Sequence, residues 1–191
     1  MRNPYLIFGV GVLIFIGLVA YFVPREGSNQ SFMSTKTFTI ESPVFSETGM
    51  IPEKYTCDGD RTFSPPLSIS NVPNGTKSLV LIVDDPDVPK QLRPDGVFDH
   101  WVLYNIPADT TSVPEGGAAG TEGLNGAGNT GYTGPCPPSH YEPSEHRYVF
   151  KLYALSDSLS LPAGATKAEV LSTLAPHLIA ETELIGRYSR K

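Results

Sequence analysis

SLVLIVDDPDVP, residues 78–89, is the stretch on which the fold turns. Its first six residues are a nearly continuous apolar run, rich in β-branched side chains and too short for a buried helix. Such a run reads as a strand covered on both faces. Three carboxylates within four residues then follow, Asp84, Asp85 and Asp87, interleaved with Pro86 and Pro89. The prolines stiffen the turn and withhold two amide donors. Like charges packed that closely repel, so the turn reads as a candidate binding element rather than a simple connection.

Outward from this strand, residues 100–106 (HWVLYNI) and 147–155 (RYVFKLYAL) repeat the pattern, dense in aromatic and β-branched residues. Residues 37–41 (TFTIE) alternate and predict an opening strand, and residues 180–190 alternate again as a last edge strand. Helix is sparse. Thr166 and Glu169 have capping-box spacing and predict a short helix ending near His177. With 18 Gly and 18 Pro in 191 residues, and long Gly/Pro stretches such as residues 114–138, the composition suits packed sheets with one or two peripheral helices.

The N-terminus carries a different signal. Residues 5–23 hold no charge, and as a helix they would reach roughly 29 Å, close to the hydrocarbon thickness of a bilayer. Arg2 precedes the run, and no small-residue cleavage site closes it at Tyr21-Phe22-Val23-Pro24. The expected organisation is an uncleaved transmembrane anchor at 1–23, a polar linker at 24–36 and one domain at 37–191. The positive-inside tendency places that domain on the extracytoplasmic side.

Without Arg2, 13 basic residues face 20 acidic ones, a net charge of −7. No run of Lys or Arg forms a nucleic-acid footprint, so nucleic acid is not expected as a partner. An acidic domain holds an anion only through local donors. Candidates for such chemistry sit at strand ends: Asp84, Asp85 and Asp87, then Asp99-His100-Trp101, the turn GYTGPCPP at 131–138, and His146-Arg147-Tyr148. No Cys/His spacing suggests zinc, the acidic turn lacks the regular ligand spacing of a calcium loop, and no G-x-S-x-G elbow is present. Neither a metal, a cofactor nor a catalytic nucleophile is therefore expected. Cys57 and Cys136 form an even pair in an outward-facing domain, for which a disulfide is the expectation and two buried free thiols the alternative.

Taken in order, DDPDVP, DHWVLYNIP, GYTGPCPP and HRYVFKLYAL resemble the phosphatidylethanolamine-binding protein family, most closely its prokaryotic, Raf-kinase-inhibitor-like branch. The resemblance covers residues 37–188. It implies a mainly β fold of two packed antiparallel sheets with a small anion pocket at one end, accepting phosphate-like groups including phospholipid headgroups. By motif, the pocket residues would be Asp85, Asp87, His100, Pro137, His146 and Tyr148, with free amides of the glycine-rich turn completing the shell. A nearby Asp would keep either imidazole charged and make anion affinity rise as pH falls through about 6.5. The expected function is a membrane-tethered binding module for a small anion such as phosphate or a phosphoethanolamine headgroup, with a protein partner unidentified. A protein-interaction or protease-inhibitor module using the loop at 114–132, and a hydrolase using the His/Asp pocket, are the alternatives.

Overall fold

The computed structural model describes residues 36–190. The proposed anchor at 1–23 and nearly all of the linker lie outside the described residues. Among those described, no helix is long and apolar enough to cross a membrane.

Nine strands form two sheets. In chain order they are β1 (Thr39–Glu41), β2 (Gly49–Met50), β3 (Leu67–Ser70), β4 (Ser78–Asp85), β5 (Phe98–Pro107), β6 (Ser112–Val113), β7 (Thr121–Glu122), β8 (Glu145–Leu155) and β9 (Leu178–Ser189). The smaller sheet runs β1-β3-β6 and the larger β2-β9-β8-β4-β5-β7. All pairings are antiparallel except β2 with β9.

Strand β4 is buried at every position, because both faces of the larger sheet are covered. Leu79, Leu81 and Val83 point with Trp101, Leu103, Phe150 and Leu152 into the core between the sheets, against Ile40, Leu67 and Ile69. Val80, Ile82, Val102 and Tyr104 point the other way and pack with Val170 and Leu174 of α1 (Lys167–Leu174), the one α-helix among the described residues. The period-two alternation of a pleated strand separates these two sets.

Helix α1 starts where the capping box placed it. Thr166 accepts from the Glu169 amide, and the Glu169 carboxylate accepts from the Thr166 amide at 2.8 Å. Thr166→Ala should therefore cost about 1 kcal/mol, read as a shift of the urea midpoint with unchanged slope. The C-terminal segment departs from expectation. Strand β9 is not an edge: it lies between β8 and the two residues of β2, and Gly186 lets Ile51 approach to where a Cβ would meet its Cγ1 at 2.6 Å. The loop at 114–132 is tied to the larger sheet. Strand β7 pairs with β5, and the Gly123 and Leu124 amides donate to the Val102 and Ala165 carbonyls.

Candidate functional site

Strand β4 delivers the acidic turn to the open end of the space between the sheets, and pleat alternation then distributes its carboxylates. Asp84 has the parity of Val80 and Ile82 and points toward α1. Its Oδ1 accepts from Lys167 Nζ at 2.9 Å, and Lys167 also donates to Asp99 at 2.7 Å. Burial raises the Asp84 pKa despite the opposing lysine. Asp85 has the parity of Val83 and faces the cavity, where its Oδ2 accepts from His146 Nδ1 at 2.7 Å. Asp87 lies beyond the strand and holds Arg147 in a two-pronged pair, at 2.8 Å from Nε and 2.7 Å from an Nη. That guanidinium keeps the Asp87 carboxyl below its ordinary pKa. The repulsion apparent in the sequence is thus relieved by three separate cations, and Asp84 and Asp87 act as clamps.

His100 reaches the same cavity by a different device. Val83 pairs with Trp101 but Asp84 pairs with Asp99, so His100 is an extra residue in β5, a β-bulge. Unbroken alternation would put Asp99 on the Trp101 face and His100 toward the helix. The bulge reverses both, sending Asp99 to Lys167 and His100 into the cavity. There the His100 Nδ1–H donates to the Thr133 carbonyl, while its ring packs edge-on against Tyr148 at 5.1 Å between centroids. Burial drives the His100 pKa down to about 4, so this imidazole is neutral at physiological pH. His146 behaves oppositely. Burial works against its charge, but the Asp85 hydrogen bond and charge outweigh that penalty and raise its pKa.

The facing wall is the turn at 131–138, and a disulfide holds it. Cys57 and Cys136 are joined with their Cα atoms 5.3 Å apart. The Cys57 amide donates to the Pro135 carbonyl at 2.9 Å, and the Gly134 amide donates to the Arg61 carbonyl at 2.6 Å. A Cβ on Gly134 would stand 2.4 Å from the Tyr55 carbonyl, so only glycine lets the two segments touch. Together the disulfide and these bonds seat residues 57–61 against the wall and bring Arg61 to the rim.

The result is a cavity of about 250 Å³ whose lining includes Asp85, His100, Pro137 and His146. Of the other expected residues, Tyr148 lies beneath, against His100, and Asp87 is turned away to Arg147. The amides of Thr133 and Gly134 are not available for a ligand, since they already bond to the His100 and Arg61 carbonyls. Arg61, Val88, Leu92 and Phe98 line the cavity without having been anticipated. The cysteine pairing was the available clue to Arg61, four residues after Cys57. Among the described residues no group of three or more His, Cys, Asp or Glu is placed to hold a metal.

Comparison with known proteins agrees with this fold. A UPF0098 protein of Methanothermobacter thermautotrophicus is 45% identical over 158 residues, spanning 79% of this chain and 98% of the relative. The crystal structure of a phosphatidylethanolamine-binding protein homologue from Chlamydia trachomatis superposes with a TM-score of 0.76 at 44% identity, over 81% of this chain and 99% of that one. Escherichia coli YbcL, described as a member of the mammalian PEBP family, superposes with a TM-score of 0.71 at 29% identity, over 82% and 100%. The profile described as phosphatidylethanolamine-binding protein matches residues 41–189, and the chain belongs to that family.

Proposed function

We propose that the protein is a binding module for a small phosphate-like anion, held at the His146 end of the cavity, in a domain tethered to a membrane by residues 1–23 and facing away from the cytoplasm. One observation carries the binding reading. His146 and Tyr148 are buried side by side on one face of β8, and neither His146 Nε2 nor the Tyr148 hydroxyl makes a well-formed hydrogen bond among the described residues, although the Pro143 carbonyl is near enough to help raise the His146 pKa. Buried polar groups are rarely left so, because each costs the desolvation it does not recover. An anion at the cavity floor would satisfy His146 Nε2, which lines the cavity above Tyr148, and the charge that Asp85 sustains on His146 would favour it.

The test is calorimetric titration of the full chain with sulfate, whose charge is constant across the range, and with phosphate. Saturable binding at pH 6 is expected, weakened about tenfold or more in His146→Ala. Absence of saturable heat from the folded protein retires the pocket as the function. The pH dependence follows from the shifts. His146 is charged below its raised pKa, so sulfate affinity should be level at pH 6 and below, then fall as pH rises above 6.5 through the raised value. His100 adds no step near pH 6.5, since it stays neutral down to about 4. Flat affinity from pH 6 to pH 10 would remove His146 as the charged donor.

A further inference from the structure

The described arginines are paired with carboxylates, with one exception. Arg93 pairs with Asp95, Arg147 with Asp87, Arg187 with Glu145 and Arg190 with Asp58. Arg61 has no carboxylate partner among the described residues, in a chain of net charge −6. It is also the arginine whose backbone is fixed to the cavity wall, through the Cys57–Cys136 bond and the Gly134 amide, and it is one of the residues that line the cavity. Its charge reaches His100, where it is one of the influences holding that imidazole neutral.

The remainder of the rim is apolar. Val88 and Leu92 follow the acidic turn, and Leu92 stands 53% exposed although nothing polar about the site requires it there. Phe98 is gripped between the Arg93 guanidinium, 5.2 Å from its ring, and the His100 ring at 4.8 Å. Pro137 and Pro138 complete the opposite side. Val88, Leu92 and Phe98 together give the mouth of the cavity an apolar lining on which a compact apolar group could lie. At roughly 30 Å³ per water in the liquid, the cavity corresponds to about eight waters, room for a compact ester and not for acyl chains.

We propose that Arg61 is the specificity-determining cation of this pocket, and that the ligand is a phosphomonoester carrying a compact apolar group that lies on Val88, Leu92 and Phe98. The proposal rests on the anion-binding reading above and narrows it. An inorganic phosphate leaves the apolar rim wet, and the ammonium of phosphoethanolamine would lie on the apolar side chains of Val88, Leu92 and Phe98, while the Asp85 oxygens deeper in already accept from His146 and the Asp87 amide.

The test uses phenyl phosphate, inorganic phosphate and phosphoethanolamine as calorimetric probes of the full chain. Phenyl phosphate should bind roughly tenfold or more tightly than either of the others. Arg61→Gln should weaken phenyl phosphate and inorganic phosphate alike by about tenfold, and Arg61→Lys, which keeps the charge and loses the fork, by less. Leu92→Ser, at an exposed position, should narrow the preference for phenyl phosphate and leave inorganic phosphate unchanged. Vesicles containing phosphatidylethanolamine should not displace phenyl phosphate. Equal affinity for the three probes, unaltered binding in Arg61→Gln, or displacement by the vesicles overturns this inference while leaving an anion site in place. No binding of any probe by the folded protein overturns the anion site as well.

Discussion

Replacing both Cys57 and Cys136 by serine should lower the unfolding free energy by about 4 kcal/mol, a large fraction of the stability of an ordinary domain. The cysteines are 79 residues apart, and a cross-link over that separation removes much of the freedom of the unfolded chain. In thermal unfolding the loss should appear as a drop of roughly 8–16 °C, given about 2–4 °C per kcal/mol for a chain of this size. A second effect distinguishes this bond from a mere staple. Cys136 is exposed on the cavity rim, and Arg61 sits four residues after Cys57. Without the bond, one hydrogen bond from Cys57 to Pro135 and one from Gly134 to Arg61 remain to hold the segment. The double variant should therefore also bind phosphate more weakly at a temperature where it is fully folded. A stability loss below 1 kcal/mol with unchanged affinity would show that these hydrogen bonds suffice.

The second large effect lies at Asp85. Its carboxylate takes a hydrogen bond from His146 on one oxygen and from the Asp87 amide, at 2.9 Å, on the other. Asp85→Asn keeps the shape and an acceptor but removes the charge, stranding a buried imidazolium. About 3 kcal/mol of destabilisation is expected at pH 6. The sign of its pH dependence follows from His146. A histidine whose pKa is raised on folding contributes stability that is complete below its unfolded value near 6.5 and is lost as pH rises through the folded value. The variant should therefore lose less, relative to the parent, at a pH above the raised His146 value, where His146 is neutral in both, than at pH 6. Urea unfolding at the two pH values measures this, and an equal loss at both would mean that packing, not charge, holds the pair.

Much of the architecture was legible because it depends on local pattern. The apolar run at 78–83 became the strand buried on both faces, and the runs at 100–106 and 147–155 became its two neighbours in the larger sheet. Thr166 and Glu169 marked a helix start because capping is settled within four residues. The four ordered motifs identified the family. The same local reasoning failed where a partner far along the chain decides. Alternation at the C-terminus was compatible with an edge, and only the return of residues 49–50 alongside Gly186 and Arg187 put β9 inside the sheet.

The site divides along the same line. The family resemblance named Asp85, His100, Pro137 and His146, and all four line one cavity: Asp85, His100 and His146 from the ends of β4, β5 and β8, Pro137 from the turn at 131–138. Pleat alternation separates Asp84 from Asp85, but the partner each of the three carboxylates meets was decided by tertiary structure: Lys167 for Asp84, His146 for Asp85, Arg147 for Asp87. Which histidine carries charge was likewise undetermined by residue type. His100 lies against a carbonyl and an aromatic ring, and burial leaves it neutral, whereas His146 has a carboxylate at 2.7 Å. Arg61 entered the cavity only through a bond spanning 79 residues. Strand identity, helix capping and family follow from near neighbours in the chain. Face, charge state and the composition of the rim follow from a one-residue bulge and from contacts between segments 33 or more residues apart, which no local pattern encodes.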